Sequence, residues 1–178
     1  NATSGVVTAD VTAAAASVLA AALNVTDEDD ALSLTVNAEE EGATSAADLV
    51  ALDADTNEVI NLAAEVTTIS GSAADVLSVF STNAEHYSGE EDANAQITSE
   101  SISAEDLDLI ASATSGVVTA AIESGAVTAT LDAIDNVATS DVISFTTTDE
   151  SVDASDFNAL ALKVDTFTTT SVTGAVTE

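Results

Sequence analysis

A short phrase returns along this chain at nearly even intervals, and it constrains the fold more than any other feature. It reads Ser45-Ala-Ala-Asp48, Ser72-Ala-Ala-Asp75, Ser103-Ala-Glu-Asp106 and Asp153-Ala-Ser-Asp156, and a Leu, Val or Phe follows each copy. Degraded copies stand at Ala14-Ala-Ala-Ser17 and Val127-Thr-Ala-Thr130. Successive starts average roughly 28 residues apart, so the 178 residues hold about six units, the spacing of a repeat architecture. Ser or Asp with an acid three residues on resembles a capping box. The first side chain accepts from an orphan helix N–H, and the acid favours the positive end of the helix dipole. Apolar residues then recur three or four apart: Leu49 and Leu52, Val76 and Phe80, Leu107 and Ile110, Leu131 and Ile134, Phe157 and Leu160. Each unit is therefore expected to carry a helix of about three turns.

Between these helices lie β-like runs. Leu32-Ser-Leu-Thr-Val36 alternates strictly, while Val66–Ile69, Gln96–Thr98, Gly116–Thr119, Val142–Thr146 and Thr166–Thr168 are short and β-branched. A strand–helix unit joins the next strand by a right-handed crossover, so the units predict an α/β solenoid. Its expected form is a parallel sheet with helices on one side, with a β-solenoid as the alternative. The expected domain is single, residues 1–178, an excerpt or mature form of a longer repetitive protein. A larger beat is also present: Thr3-Ser-Gly-Val-Val-Thr8 and Thr114-Ser-Gly-Val-Val-Thr119 are identical, and Thr56-Asn-Glu-Val-Ile-Asn61 falls near their midpoint.

Composition suits thin layers. The hydrophobic fraction is 46% and mean hydropathy is +0.30, which sets the chain apart from disordered acidic tails. Aromatics are only 3%, and Ala, Val, Leu and Ile supply the apolar mass. Against 32 acids stands one base, Lys163, for a net charge of −31. No cationic surface exists to displace counterions from phosphate, which excludes nucleic acid and anionic membrane as partners. No apolar run reaches membrane-spanning length, so no membrane insertion is expected. Charge of this density calls for a salty or divalent-rich medium, and the expected location is extracellular, on a cell surface or on a virion.

The phrases TSGVVTA, VTTISGSAADVL and ISAEDLDLIASATSGVVTAA resemble tandem repeats of very large acidic surface proteins of marine cyanobacteria and of structural proteins of their phages. That resemblance implies secretion or virion display, extension by repetition, and adhesion or scaffold duty. It implies no site residues.

Calcium is the ligand the acids argue for, because hard cations take six to eight oxygens from acid-dense turns. Asp53-Ala-Asp55-Thr-Asn57 follows the opening of an EF-hand-type loop, but Glu58 stands where the turn glycine belongs and Ala64 where the bidentate Glu belongs. With Asp53, Asp55 and Asn57, the candidate ligands are Asp27, Asp29, Asp30, Glu90 and Asp92. Against a metal, the internal counterpart Ala111–Gly116 has no carboxylate, which favours solvated acidic turns.

His86 and Tyr87, the only residues of their types, fall in an irregular insertion and read as surface packing. Lys163 is expected to pair with Asp156 or Asp165. Asn1-Ala-Thr3 and Asn24-Val-Thr26 fit the glycosylation triplet. No nucleotide loop, nucleophile elbow, His cluster or thiol is present, so no enzyme is expected. The expected role is structural or adhesive, in a fibre, sheath, surface layer or virion appendage. Self-association into a homopolymer, or continuation in a longer chain, follows from uncapped sheet edges. The alternative is a carbohydrate-binding or, less favoured, ice-binding face lined by Thr35, Thr67, Thr98, Thr119, Thr146 and Thr168.

Overall fold

A computed structural model describes residues 5–23 and 30–173, apart from the side chains of residues 99 and 100. Three helices begin where the Ser phrase says they should: α2 (Ala46–Asp53), α3 (Ala73–Leu77) and α4 (Ala104–Ala113), with Ser45, Ser72 and Ser103 as their N-caps. Each cap oxygen accepts from the amide three residues on, that of Asp48, Asp75 or Asp106. The acid of the phrase does something other than reach back to the cap amide. Asp is one methylene shorter than Glu, and it stands beside the cap instead: the hydroxyls of Ser72 and Ser103 donate to Asp75 and Asp106 at 2.7 and 2.8 Å.

The other helices are α1 (Ala16–Leu23), α5 (Val127–Ala133) and α6 (Ala154–Leu160). The six helices run 5 to 10 residues, nearer two turns than three. In α3 the chain passes directly into a π-helical turn, Ser78–Thr82, which brings Val79 and Phe80 into the core. Six α-helices among the described residues set aside the all-β alternative.

The strands are β1 (Thr8–Asp10), β2 (Ala14–Ala15), β3 (Ala31–Ser33), β4 (Thr35–Asn37), β5 (Ala43–Ser45), β6 (Ile60–Leu62), β7 (Thr68–Gly71), β8 (Tyr87–Ser88), β9 (Asn94–Ile102), β10 (Val118–Ile122), β11 (Val142–Thr146), β12 (Val152–Asp153), β13 (Thr166–Thr168) and β14 (Val172–Thr173). Every pairing among them is parallel. They form a six-stranded sheet ordered β13-β11-β10-β9-β7-β5, a four-stranded sheet β2-β4-β6-β8, and the pairs β1-β3 and β12-β14. The single sheet expected from sequence is thus divided. Two of the breaks carry left-handed residues: Glu41 and Gly42 take φ of 59° and 79° between β4 and β5, and Gly89 takes 92° between β8 and β9. Such turns end one strand and re-aim the next.

In both larger sheets strand order follows chain order, and consecutive helices touch one another from α1 to α6. Strand residues alternate between core and solvent, as at β10 and β11, where Val118, Ala120 and Ile122, and Ile143 and Phe145, point inward. One contiguous core runs from Ala16 to Val164, with Leu49, Leu52, Leu107, Ile110, Ile134 and Leu160 buried from the helix side. Aromatics gather at its last section, where Phe145 and Phe167 stack at 5.8 Å and Phe157 tilts against Phe167 at 5.5 Å.

Candidate functional site

Several of the candidate carboxylates are engaged within the chain. Asp30 is 5% exposed; its Oδ1 accepts from the amide of Val7 at 2.8 Å, and its own carbonyl accepts from the Thr56 hydroxyl and the Asn57 amide. Asp53 accepts from His86 Nδ1 at 2.7 Å and from the Asn83 side-chain Nδ2 at 3.1 Å. Asp92 accepts from the Ser115 hydroxyl at 2.6 Å. Asp55 lies on the turn after α2. Glu90 differs from these: its Oε2 is buried without a hydrogen-bond partner, and burial pushes its carboxyl above the ordinary value of 4.5. A backbone hydrogen bond opposes that shift, and the neighbouring Glu91 adds to it. Asp27 and Asp29 lie outside the described residues, as do both glycosylation triplets. Among the described residues no three acids or histidines stand close enough to share a metal ion.

What the structure brings together is the opening of the 53–61 loop and the His86 insertion. They line one cleft of about 610 Å³ with Val50, Val59 and Asn83. Its hydroxyl, that of Thr56, is 4% exposed and taken up by the carbonyls of Asp30 and Leu32 and the amides of Leu32 and Glu58. His86 is half exposed, and its pair with Asp53 ties two stretches of chain 33 residues apart. Tyr87, read from sequence as a surface residue, is 4% exposed, with its hydroxyl on the Leu49 carbonyl at 3.4 Å. Burial raises its pKa above the ordinary phenol value, and the nearby charges of Asp53 and Glu90 raise it further. Lys163 also departs from expectation. Its ammonium donates to the carbonyls of Ile134 and Asp135, at 2.7 and 3.1 Å, and so satisfies the C-terminal end of α5.

A pattern joins several of these contacts: a side chain reaches a stretch of chain 22 to 28 residues away. Asp30 to Val7, Asn94 to Val117 and Asp141 to Val118 each span 23 residues, and Asp165 to Ile143 spans 22. At the helix ends Asp108 holds both the amide and the side chain of Asn136, 28 residues on. Two of the three helices without a Ser cap, α1 and α5, borrow an acid in the same way. The Val127 amide at the start of α5 donates to Asp149, and the Ser17 amide in α1 donates to Glu39, each 22 residues away.

No family model, no curated protein and no solved structure matches the chain.

Internal comparison goes further. Val7 to Asp30 and Val118 to Asp141 are the same bond moved by 111 positions, and Thr8↔Ala31 repeats as Thr119↔Val142. Ala14↔Val36 repeats as the bridge Gly125↔Thr147, and α1 and α5 begin 111 positions apart. The identical hexapeptides signalled this correspondence; the acids that serve it carry no sequence signal beyond their spacing.

The hydroxyl-lined face is less uniform. Thr98, Thr119, Thr146 and Thr168 belong to the six-stranded sheet, Thr35 to the four-stranded one, and Thr67 precedes β7. By register the outer row runs Ser45, Ser70, Gln96, Thr119 and Val142, the last 51% exposed and apolar.

Proposed function

We propose that this chain is a non-enzymatic structural segment of an extracellular fibre, sheath, surface layer or virion appendage, built as a solenoid whose layers are the successive strand–helix stretches. The observation that carries the reading is the set of side-chain ties between stretches 22 to 33 residues apart. With parallel pairing in chain order, each layer then bonds chiefly to its two neighbours, and such a body grows by adding layers without a new core. The layer length varies, shorter than 28 on the strand side and close to it at the helix ends.

The same ties give the acids a use that needs no catalyst. Carboxylates aimed at backbone amides are strong acceptors, and a layer lacking its own cap takes one from the next. The His86–Asp53 pair serves as such a tie; the cleft hydroxyl beside it is engaged by backbone groups and is not poised as a nucleophile. The resemblance to tandem repeats of giant acidic surface proteins supports the same role. Calcium enters this reading between molecules, where acid-rich surfaces meet, and the fold of one copy stands on the ties alone. Electron microscopy of the native assembly, with and without a chelator, tests it. Extended particles are expected, with the melting temperature of the isolated chain unmoved by the chelator. Compact particles that never associate contradict the reading.

A further inference from the structure

Many hydroxyls and carboxamides of this chain are engaged inside the molecule: Thr56, Thr114 and Thr147 donate to carbonyls of a neighbouring stretch, and Asn61, Asn83 and Asn136 are held likewise. The outward positions of the middle strands of the six-stranded sheet differ. Among the described residues, Thr68 and Ser70 of β7, Gln96 of β9, Thr119 of β10 and Ser144 of β11 have side chains that hydrogen-bond to nothing else in the chain. They alternate with the buried Ile69, Ala95, Val118 and Ile143, which turns them to the solvent side. By register Thr68 stands beside Asn94, while Ser70, Gln96 and Thr119 form one row across three strands. Thr68, Asn94, Gln96 and Thr119 line a shallow groove of about 190 Å³ on this face. Charge is missing from it. Apart from Glu100, whose side chain lies outside the described ones, β7, β9, β10 and β11 contain no acid or base, in a chain of net charge −31. Apolar area is small too: Val142 ends the row, and Ala121 stands beside Ser144.

We propose that this groove and row bind a neutral polysaccharide laid across the strands. The ligand class follows from charge and hydrogen-bonding capacity. A cation is drawn to the acids elsewhere on the molecule, an anion is repelled by a net charge of −31, and a lipid or protein surface finds little apolar area to bury. An uncharged ligand rich in hydroxyls is what the face complements. The Thr and Ser hydroxyls each donate and accept, and the Gln96 carboxamide does both at once. Neighbouring strands stand about 4.8 Å apart, so the row offers a polymer polar groups at a fixed interval. Each hydrogen bond exchanged with water adds little by itself, and no aromatic ring projects from these strands, so repetition along the polymer supplies the affinity. Such a face goes beyond the structural role above and gives a fibre segment a surface to hold.

Affinity electrophoresis of the full chain, in native gels containing dextran, hydroxyethyl cellulose or galactomannan, tests the site against gels containing anionic alginate. Wild type should be retarded by a neutral polymer and not by alginate, and free glucose should fail to relieve the retardation. Gln96→Glu combined with Thr119→Val preserves both side-chain shapes. It should keep the melting temperature and weaken retardation by about tenfold or more. Ser70→Ala, one rung along the row, should weaken it in the same sense, whereas exposed Glu105→Gln on α4 should match wild type. Full retardation of the double variant, retardation by alginate equal to that by the neutral polymers, or no retardation by any neutral polymer each overturns the site and leaves the fibre reading intact. Self-association of wild type that the double variant loses assigns the face to a second copy and overturns the site equally.

Discussion

Asp141 holds two amides at once, those of Val118 at 2.9 Å and Ala138 at 2.8 Å, and is 5% exposed. Removing a buried acceptor strands its donors, at about 1–3 kcal/mol for each. Asp141→Ala should therefore lower unfolding free energy by roughly 2–4 kcal/mol in urea titration, whereas exposed Glu123→Gln should stay within about 0.5 kcal/mol. Glu90 has the opposite sense. Its folded pKa lies above its unfolded value, so the folded state binds the proton more tightly. The stability linked to that proton is full below the unfolded pKa and is lost as pH rises through the folded one. Glu90→Gln should accordingly be more stable than wild type at pH 7, and the gap should close as pH falls below about 4.5. Equal stability of the two at both pH values contradicts a buried Oε2 without a partner. At this scale the sequence was a poor guide. Asp141 and Asp165 look like any other acid in a chain with 32 of them, because an acceptor for a residue 22 or 23 positions away has no local signature.

Helix starts were legible and sheets were only half so. Ser45, Ser72 and Ser103 announce their helices because a cap is a contact three residues long, entirely inside the reading window. The divided sheet escaped in part because two of its corners use the positive φ of Glu41, Gly42 and Gly89, and composition does not reveal a backbone turn of that kind at a glutamate. Leu32–Val36 illustrates the result. It alternates as one strand would, yet it forms the ends of β3 and β4 in two different sheets. The borrowed caps make a prediction specific to elements. Asp149→Ala should fray α5, since its carboxylate serves the Val127 amide and the Thr147 hydroxyl, and cost about 1 kcal/mol. Hydrogen exchange should quicken at the first turn of α5 and leave α2 unchanged; loss spread evenly over both helices would speak against a cap lent from the next layer.

Across the whole molecule the 111-position correspondence matters more than the 28-residue beat, since the Val7–Asp30 bond, the strand register and the helix start obey it from residues 7–36 to 118–147. Layers of unequal length can still stack when each needs only the strand spacing and one or two side-chain ties to its neighbour. On the proposed reading, high negative charge keeps separate stacks apart at low salt, while hydrogen bonds within one copy, far shorter than the screening length, persist. The most direct measurement is small-angle X-ray scattering on a chain in which residues 3–113 are duplicated ahead of residue 3. Four added layers at about 4.8 Å each should lengthen the particle by roughly 19 Å with an unchanged cross-section. A cross-section that grows, or added residues that scatter as unfolded chain, would contradict a body built by stacking.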